Sequence, residues 1–397
     1  MKRKMGKQLA LFARIMAAAF LLILAVLVVC NTVTKDRDFS EKENRVLSGK
    51  PDFTWSRLTD GRYMTQFETY VNDQFVFRDG WIQLKTLSDT LLGKKEENGV
   101  YLGKNDRLLE QFTAPEDTAV TELTNAVNSF AKRHEKLKQY FLLAPTAVNI
   151  YSEDLPLWAP AEDQNKVMDS FFGKLDTSLI QKIDVRSAFE AEKEADLYYH
   201  TDHHWTTNGA YLAFQTAAGV MDLDLKAVSY EHYPVTDSFQ GTLSAKSGFL
   251  NGKKESIEAY FPQQTTPYIV SYVEEQKKEA SVFQSESLKT RDKYSLFFGG
   301  NHSLIEIQTA SSRNKRLLVL KDSYANCFIP FLIPYYRDIV IVDPRYYYDS
   351  IDQLIEDYDI QEVLYLYNAN TFFSDTSLQP ALQAVDEATT EEQSTKE

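Results

Sequence analysis

The pattern of hydrophobic and polar positions divides the chain into an apolar start, a helical segment and a longer region in which strands and helices alternate. Residues 15–29 form an uninterrupted apolar run, and residues 30–33 extend it to the roughly 17 to 25 residues that a membrane helix needs. Between residues 58 and 92, apolar side chains recur at helical spacing. We therefore expect an anchor over residues 1–34, followed over 35–112 by a stalk with a helical and hairpin segment.

Farther along the chain, apolar runs of strand length alternate with helical patterns. This alternation is typical of an α/β fold, in which a parallel sheet is covered by helices on both faces. Strands are predicted at 138–144, 180–185, 316–321, 338–343 and 362–367, and helices at about 116–137, 164–175, 207–221 and 350–357. We expect this domain to span residues 113–374, with the β-rich stretch from about 224 to 312 as an insertion. The polar tail at 375–397 is predicted to be disordered.

The distribution of charge orients the apolar run. Five basic residues, at positions 2, 3, 4, 7 and 14, and no acidic residue precede the apolar run, whereas the residues after the run carry both signs. The positive-inside rule then places the N-terminus in the cytoplasm and the remaining chain outside. A cleaved signal peptide is the alternative, but no small-residue cleavage site follows the apolar run. We therefore predict a single-pass membrane protein with an uncleaved anchor.

The composition excludes several functional classes. The 397 residues include 43 lysines and arginines against 57 acidic residues, which gives a net charge of −14. Because nucleic acids are bound through neutralisation of their phosphates by lysine and arginine, no nucleic-acid partner is expected. No glycine-rich phosphate-binding motif occurs, and no cofactor is expected. The two cysteines, Cys30 beside the membrane segment and Cys327 far along the chain, are not expected to form a disulfide.

Histidines cluster in one short segment, since three of the six lie between residues 200 and 204. In an extended segment, side chains two residues apart share a face, so Asp202 and His204 project together. The carboxylate then accepts a hydrogen bond from Nδ1 of the imidazole and leaves Nε2 to take a proton from a hydroxyl. Thr206 or Thr207 is expected to cap the helix that follows and to hold the loop.

The hydroxyl partner is expected at the carboxyl end of a parallel strand, where open α/β sheets place their sites. Ser323 follows the predicted strand at 316–321 at a strand-to-helix turn, and we predict that it is the nucleophile. Backbone N–H groups near the start of the next helix are suited to hold an oxyanion. The structural alternatives are that Asp322 is an ordinary helix cap and that Ser323 is one of many serines that follow a strand.

A metal site is an alternative interpretation of the cluster, because histidine and aspartate are both common zinc ligands. The residues concerned are His200, Asp202, His203 and His204. Adjacent histidines, however, point to opposite sides of an extended chain, and the known zinc-binding spacings are absent. We therefore expect no metal.

Four short motifs together resemble the DHHW family of Gram-positive bacteria. They are Glu-Asn-Arg-Val-Leu at 43–47, Asp-Gln-Phe-Val-Phe-Arg at 73–78, Thr-Asp-His-His-Trp-Thr at 201–206 and Lys-Asp-Ser-Tyr-Ala-Asn at 321–326. That family is similar to the alginate O-acetyltransferase proteins, which carry an SGNH-hydrolase-like domain. The resemblance extends from about residue 38 to residue 373 and implies a three-layer SGNH-like sheet. It also implies that Asp202 and His204 supply the acid and base and that Ser323 is acylated.

Two features depart from ordinary SGNH enzymes. The block that contains the nucleophile follows the histidine motif along the chain instead of preceding it, and Lys321 replaces a glycine. The resemblance implies a glycine and an asparagine in the oxyanion hole, for which Gly300 and Asn301 are the first candidates; a simple hairpin turn is their alternative role. The remaining candidates for contacts with the oxyanion or the substrate are Tyr324, Asn326, Trp205 and His203.

The function that the resemblance implies is transfer of an acetyl group to a cell-surface polysaccharide outside the cell. Because acetyl-CoA is cytoplasmic, the resemblance also implies a membrane-bound O-acyltransferase as the acyl donor. The same three residues suit an esterase, since water differs from a sugar hydroxyl only as the acceptor. A third hypothesis is a non-catalytic glycan-binding or scaffold protein of an export complex. Trp205 and the tyrosines at 346–348 are candidates for stacking on sugar rings, although such aromatics more often pack in a core.

Overall fold

The chain divides into two compact units in the computed structural model, which describes residues 2–40, 45–249 and 253–383. The first unit comprises Met1–Lys94 and Gly248–Leu250, and the second comprises Lys95–Ser247 and Asn251–Glu397. The candidate site lies entirely within the second unit.

The first unit begins with a long apolar helix, α1 (Lys2–Val33). Its segment Ala10–Val33 is long and apolar enough to cross a membrane, which is compatible with an anchor or a signal peptide. The other elements of this unit are β1 (Phe39–Ser40), β2 (Arg45–Val46), α2 (Trp55–Thr59), α3 (Arg62–Gln74) and α4 (Arg78–Leu91).

Two of the four sequence motifs meet in this first unit. The guanidinium of Arg45 donates to both carboxylate oxygens of Asp73, at 3.1 and 2.5 Å, and the backbone N–H of Ser48 donates to the same carboxylate at 2.8 Å. The hydrogen bonds from Arg45 hold the pKa of the buried Asp73 well below its usual range, so the carboxylate is ionised. These motifs therefore have a structural role here. Positions 43 and 44 of the first motif lie outside the described residues.

The second unit is built from short strands and helices. Its strands are β3 (Glu96–Glu97), β4 (Val100–Leu102), β5 (Leu108–Glu110), β6 (Lys138–Ala144), β7 (Ile180–Ile183), β8 (Tyr230–Phe239), β9 (Glu255–Pro262), β10 (Tyr268–Tyr272), β11 (Lys277–Glu279), β12 (Leu304–Thr309), β13 (Arg316–Lys321), β14 (Asp338–Val342) and β15 (Glu362–Asn368). Its helices are α5 (Asp117–Arg133), α6 (Ala147–Ile150), α7 (Gln164–Lys174), α8 (Arg186–Ala191), α9 (Thr207–Val220), α10 (Thr242–Ser247), α11 (Ala325–Phe328), α12 (Ile351–Asp357), α13 (Ala369–Ser374) and α14 (Leu378–Ala381). Short 3₁₀ turns connect several of them, at Lys104–Asp106, Ser152–Asp154, Leu225–Ala227, Ser285–Lys289, Lys293–Leu296, Ile329–Phe331 and Ile333–Tyr335.

An eight-stranded sheet in the order β11-β10-β12-β14-β13-β15-β6-β7 forms the centre of this unit. From β14 to β7 all neighbours are parallel, as predicted. Strands β12, β10 and β11 continue the sheet in antiparallel orientation. The parallel sheet predicted from the five apolar runs is therefore confirmed, and the three antiparallel strands make the complete sheet a mixed one. The stretch interpreted as an insertion supplies these three strands to the main sheet, while β8 and β9 form a separate pair.

Side chains alternate between the two faces of this sheet. Along β6, Tyr140 and Leu142 belong to one buried apolar cluster, and Phe141 and Leu143 belong to another. The first cluster includes side chains of α9, and the second includes side chains of α5, α7 and α12. This arrangement confirms the three-layer α/β architecture. It also explains why these strands are continuous apolar runs, since both of their faces are covered.

The packed part of the chain extends beyond residue 374, where the disordered tail was predicted to begin. Leu378–Ala381 form α14, and Leu378 and Leu382 are buried in the second apolar cluster. The prediction of disorder is therefore wrong for this stretch. Residues 384–397 lie outside the described residues.

The aromatic core offers a test of this packing. The ring of Phe141 lies with its centroid 4.8 Å from that of Phe171, 5.2 Å from Tyr365 and 5.1 Å from Phe372. Phe141→Ala should lower the free energy of unfolding in a urea titration by about 3 to 5 kcal/mol, because it leaves a cavity between these rings. The matched control is Trp158→Ala, since Trp158 is 97% exposed. A loss below about 1 kcal/mol for Phe141→Ala would contradict the packing described.

Candidate active site

The fold brings Asp202, His204 and Ser323 into one hydrogen-bonded chain. Ser323 lies in the turn between β13 and α11, as predicted, and His204 lies in the loop before α9. The Nδ1 of His204 is 2.5 Å from Oδ1 of Asp202, and its Nε2 is 2.8 Å from Oγ of Ser323. The order carboxylate, imidazole, hydroxyl is the one that proton transfer from a serine requires.

Donors surround the carboxylate of Asp202, which is 1% exposed. Its Oδ1 also accepts from the backbone N–H of His204 at 2.9 Å, and its Oδ2 accepts from the backbone N–H and the hydroxyl of Thr242 at 2.7 and 3.0 Å. Burial alone would raise the pKa of Asp202, but the charges of His204 and His203 and these hydrogen bonds hold it well below its usual range. The ionised carboxylate therefore fixes the proton of the imidazole on Nδ1.

The imidazole of His204 is adapted to act as a base. Burial and the neighbouring His203 lower the pKa of His204 to about 4, although Asp202 opposes this shift. At neutral pH the ring is therefore uncharged, and with a proton on Nδ1 its Nε2 is the acceptor. The adjacent α9 begins as predicted, because the hydroxyl of Thr206 accepts from the backbone N–H of Gly209 at 3.1 Å and so caps the helix.

Tyr294 contacts both the base and the nucleophile, and no local sequence pattern indicated its role. Its ring is stacked on His204, with 3.8 Å between centroids and 12° between planes. Its hydroxyl donates to the backbone carbonyl of Ser323 at 3.1 Å and lies 3.3 Å from Sγ of Cys327. Because an aromatic face attracts a cation, the ring favours the imidazolium that forms when His204 accepts a proton.

Two other residues that the sequence analysis missed hold the loop around Asp202. The carboxylate of Glu255 accepts from the backbone N–H of His200 at 2.6 Å, and from the backbone N–H and the hydroxyl of Thr201 at 2.8 and 2.6 Å. At Gly241, a Cβ atom would lie 2.1 Å from Cβ of Asp202, so only glycine fits this close approach. Both residues lie some 40 to 55 positions along the chain from the contacts they make, so no local pattern points to them.

The turn that carries Ser323 is tied to the neighbouring strand. Oδ1 of Asp322 accepts from the backbone N–H of Tyr324 at 2.9 Å. Its Oδ2 accepts from the backbone N–H and side-chain amide of Asn368 at 2.8 and 2.6 Å. Burial raises the pKa of this carboxyl group to about 6. Asp322 therefore does more than cap a helix, because it joins the ends of β13 and β15 beneath the nucleophile.

Lys321 and the candidate oxyanion residues form one hydrogen-bonded group beside the nucleophile, in which Lys321 and Asn326 are buried and Asn301 is exposed. The Nζ of Lys321 lies 3.2 Å from the carboxylate of Asp343 and 2.9 Å from the side-chain oxygen of Asn301. The side-chain amide of Asn326 donates to that same oxygen at 3.1 Å and to the carbonyl of Gly300 at 3.2 Å. The turn at 300–301 is thus held beside α11, the helix that follows Ser323. Lys321, which stands where ordinary SGNH enzymes have a glycine, orients the side chain of Asn301.

Three of the remaining candidates have structural contacts. Trp205 has no exposed surface; its Nε1 donates to the backbone carbonyl of Tyr324 at 2.9 Å. The hydroxyl of the buried Tyr324 donates to the carbonyl of His203. The prediction that Trp205 stacks on a sugar ring is therefore wrong, because both its faces lie in the core. His203 is partly exposed, with Nδ1 2.7 Å from the hydroxyl of Thr242, and of the three tyrosines Tyr346 and Tyr348 are exposed.

The potential metal ligands of the cluster are close together but already engaged. One ligand atom each from Asp202, His203 and His204 lie within 4.8 Å of one another. Both oxygens of Asp202 accept hydrogen bonds, and Nδ1 of His204 donates to one of them. A metal would have to displace these bonds, whereas proton transfer uses them as they are. His200 does not belong to this group. It is 7% exposed, and burial lowers its pKa to about 4.

The close approach at Gly241 predicts the effect of a single added carbon. Gly241→Ala should displace Asp202 and lower kcat for hydrolysis of a chromogenic acetyl ester by about 100-fold, because a misplacement of about 1 Å is enough to disrupt catalytic geometry. The matched control is Gly219→Ala, since nothing lies within 4 Å of a Cβ atom at Gly219. Equal activity of the two variants would show that this contact does not set the position of the carboxylate.

The ring of Tyr294 should affect the pH dependence of the same reaction. His204 must be uncharged to act as a base, so activity is present above its pKa and is lost as the pH falls through it. In Tyr294→Leu the imidazolium loses the attraction of the ring, worth about 0.5 to 2 kcal/mol, so the acid limb of kcat/KM should move to lower pH by about 0.4 to 1.5 units. Tyr294→Phe keeps the ring and should keep the acid limb. Identical profiles for both variants and the unmodified chain would exclude this electrostatic role.

Comparisons with known proteins agree with the geometry. Residues 100–290 match a family model described as the SGNH hydrolase-like domain of acetyltransferase AlgX. No curated protein matched the sequence. A DHHW family protein from Eubacterium siraeum has the same fold, at 22% identity and a TM-score of 0.62, covering 74% of this chain and 98% of its own. PatB1 of Bacillus cereus, solved with a sulfonyl adduct, aligns at 21% identity and a TM-score of 0.59, covering 70% of this chain and 95% of its own.

The structural likenesses establish the fold, and the family model matches just under half of the chain. The eight-stranded mixed sheet with helices on both faces is thus an SGNH-like α/β fold. Residues 100–290 are similar in sequence to the SGNH hydrolase-like domain of the acetyltransferase AlgX.

Proposed function

We propose that this protein transfers an acetyl group to a hydroxyl of a cell-surface polysaccharide, with Ser323 as the residue that carries the acetyl group. The observation that carries the proposal is the unbroken chain of hydrogen bonds from Asp202 through His204 to Ser323. An ionised carboxylate, a neutral imidazole and a half-buried serine are the three parts of a nucleophilic acyl-transfer site. The match of residues 100–290 to a family model named for an acetyltransferase supports acetyl as the group transferred.

In the first half-reaction, Oγ of Ser323 attacks the carbonyl carbon of the acetyl donor. The hydroxyl proton passes to Nε2 of His204, which is 2.8 Å away. The bond between the acetyl carbon and the leaving group then breaks, and the leaving group takes the proton from His204. Asp202 stabilises the imidazolium throughout, because its carboxylate accepts the Nδ1 proton in a hydrogen bond.

In the second half-reaction, a sugar hydroxyl attacks the acetyl-serine ester. Its proton passes to Nε2 of His204, and the same proton returns to Oγ of Ser323 as the ester bond breaks. If water enters instead of the sugar, the same steps release acetate. An acyltransferase of this kind must therefore bind its sugar acceptor better than it admits water.

Asn301 is our candidate for stabilising the negative charge on the acetyl oxygen. Its side-chain oxygen accepts from Lys321 and Asn326, which fixes the plane of the amide. No described residue accepts from its Nδ2, so this group remains as a donor. A fixed donor contributes to catalysis because it needs no reorganisation when charge develops.

We infer the location of the reaction from the N-terminal helix. The basic residues that precede the apolar segment support an N-terminus in the cytoplasm and a catalytic unit outside the cell. Acetyl-CoA is a cytoplasmic compound, and the acetyl group therefore has to cross the membrane first. We propose that a membrane-bound O-acyltransferase passes it to Ser323, and that the catalytic unit itself needs no cofactor.

Intact-mass spectrometry of the purified full-length chain tests the proposal. After brief incubation with a chromogenic acetyl ester at neutral pH, the unmodified chain should gain the mass of one acetyl group, and peptide mapping should place it on Ser323. Ser323→Ala and His204→Ala should not be acetylated and should lose ester hydrolysis, because they lack the nucleophile and the base. The matched control is Ser178→Ala, since Ser178 is an exposed surface serine. A panel of neutral and N-acetylated oligosaccharides serves as acceptors.

Each alternative function predicts a different result. Ester hydrolysis by Ser323→Ala at the rate of the unmodified chain would overturn the proposal and favour a binding or scaffold protein. Acetylation of Ser323 with release of acetate, but with no acetylated sugar from any acceptor, would indicate an esterase. Loss of activity on treatment with EDTA would indicate that a metal held near His203 takes part.

A further inference from the structure

The helix α4 exposes an apolar face that no described residue of the first unit covers. From residue 77 to residue 91 its outward apolar positions are spaced by three or four residues and so share one side of the helix, and Leu92 follows at its end. The side chains concerned are Phe77, 72% exposed, Trp81, 46%, Leu84, 54%, Leu87, 46%, Leu91, 79%, and Leu92, 86%. Large apolar residues scattered singly on a surface are ordinary, but a continuous row of this kind marks an interaction surface.

The inward side of α4 is the more polar one. Thr86 on that side is buried, and Asp79 forms a 3.2 Å ion pair with Arg37. A surface helix of a soluble protein normally packs with its apolar face inward and its polar face in water. In α4 this arrangement is reversed. The helix therefore fits a place where its outer face meets an apolar medium.

Hydrogen bonds hold the start of α4 at the end of the membrane-crossing segment. The side-chain oxygen of Asn31, two residues before the end of Ala10–Val33, accepts from the backbone N–H of Val76 at 3.0 Å. The indole Nε1 of Trp81 donates to the carbonyl of Val76 at 3.1 Å. The first turn of α4 thus lies beside the point where the apolar segment ends. Because Asn31 is only two residues inside that end, this point lies at the boundary between lipid and water.

We propose that the apolar face of α4 lies on the surface of the lipid bilayer, on the side where α1 leaves it. The inference requires that α1 is embedded in the membrane, and it is independent of the chemistry proposed for Ser323. Helices that lie in the interface bury an apolar face at the boundary between headgroups and acyl chains. Tryptophan is enriched at this depth, since its ring is apolar and its N–H polar, which suits Trp81.

Fluorescence of the full-length chain in lipid nanodiscs of phosphatidylcholine and phosphatidylglycerol tests this inference. A single cysteine at Leu87→Cys, in a background with Cys30→Ser and Cys327→Ala, is labelled with the environment-sensitive dye NBD. Its emission should shift to the blue, and lipids with a nitroxide near the headgroup should quench it. The matched control is Glu68→Cys in the same background, an exposed polar position of α3. The label there should show neither change.

The native tryptophan provides a measurement without an attached dye. Lipids brominated near the headgroup should quench part of the tryptophan emission of the unmodified chain, and that part should be lost in Trp81→Phe. The same water-like emission at positions 87 and 68, with no quenching specific to Trp81, would overturn the inference. A blue shift at position 87 without quenching by lipid would also overturn it, because a protein, such as a second copy of this chain, would then cover the face.

Discussion

The hydrogen bond between Asp202 and His204 is the interaction on which the candidate site depends. A buried carboxylate keeps its charge only when donors surround it, and here the imidazole and Thr242 supply them. The loop must then follow a path that brings all of these donors to one residue. Gly241 provides the space, because a side chain there would collide with Asp202, and Glu255 fastens the two residues that precede it. Several residues of the site that take no part in proton transfer thus serve to position and stabilise the ionised carboxylate of Asp202.

The central sheet fixes the position of the candidate nucleophile, Ser323. Ser323 stands at the end of β13, which lies between two parallel neighbours, so its position is fixed from both sides. In the turn, the carboxylate of Asp322 accepts hydrogen bonds from Asn368 of β15. At the end of β13, Lys321 donates to the side chain of Asn301. The lysine that departs from the usual SGNH pattern is therefore part of the support of the nucleophile. It is held by Asp343, a charge that is itself completely buried.

Particular residues show what the sequence could and could not predict. The strands at 138–144 and 316–321 were predicted to the residue because both of their faces are covered and their apolar runs are continuous. Asp202 and His204 were found because a spacing of two is a local property of an extended chain. Tyr294 was not, because its role depends on stacking with a ring 90 residues earlier in the chain. The pairing of β10 to β12 with the main sheet was not predicted, because short apolar runs do not reveal which neighbour they pair with. The burial of Trp205 is likewise a tertiary property.

The position of β15 has a consequence for how the chain matures. The last strand among the described residues is inserted between β13 and β6, so it joins the early part of the sheet to the late part. Until residues 362–368 are synthesised, β6 and β7 cannot pair with β13 and β14, and the turn that carries Ser323 lacks its neighbour Asn368. The central sheet therefore forms from strands far apart in the chain, and its completion comes late in synthesis.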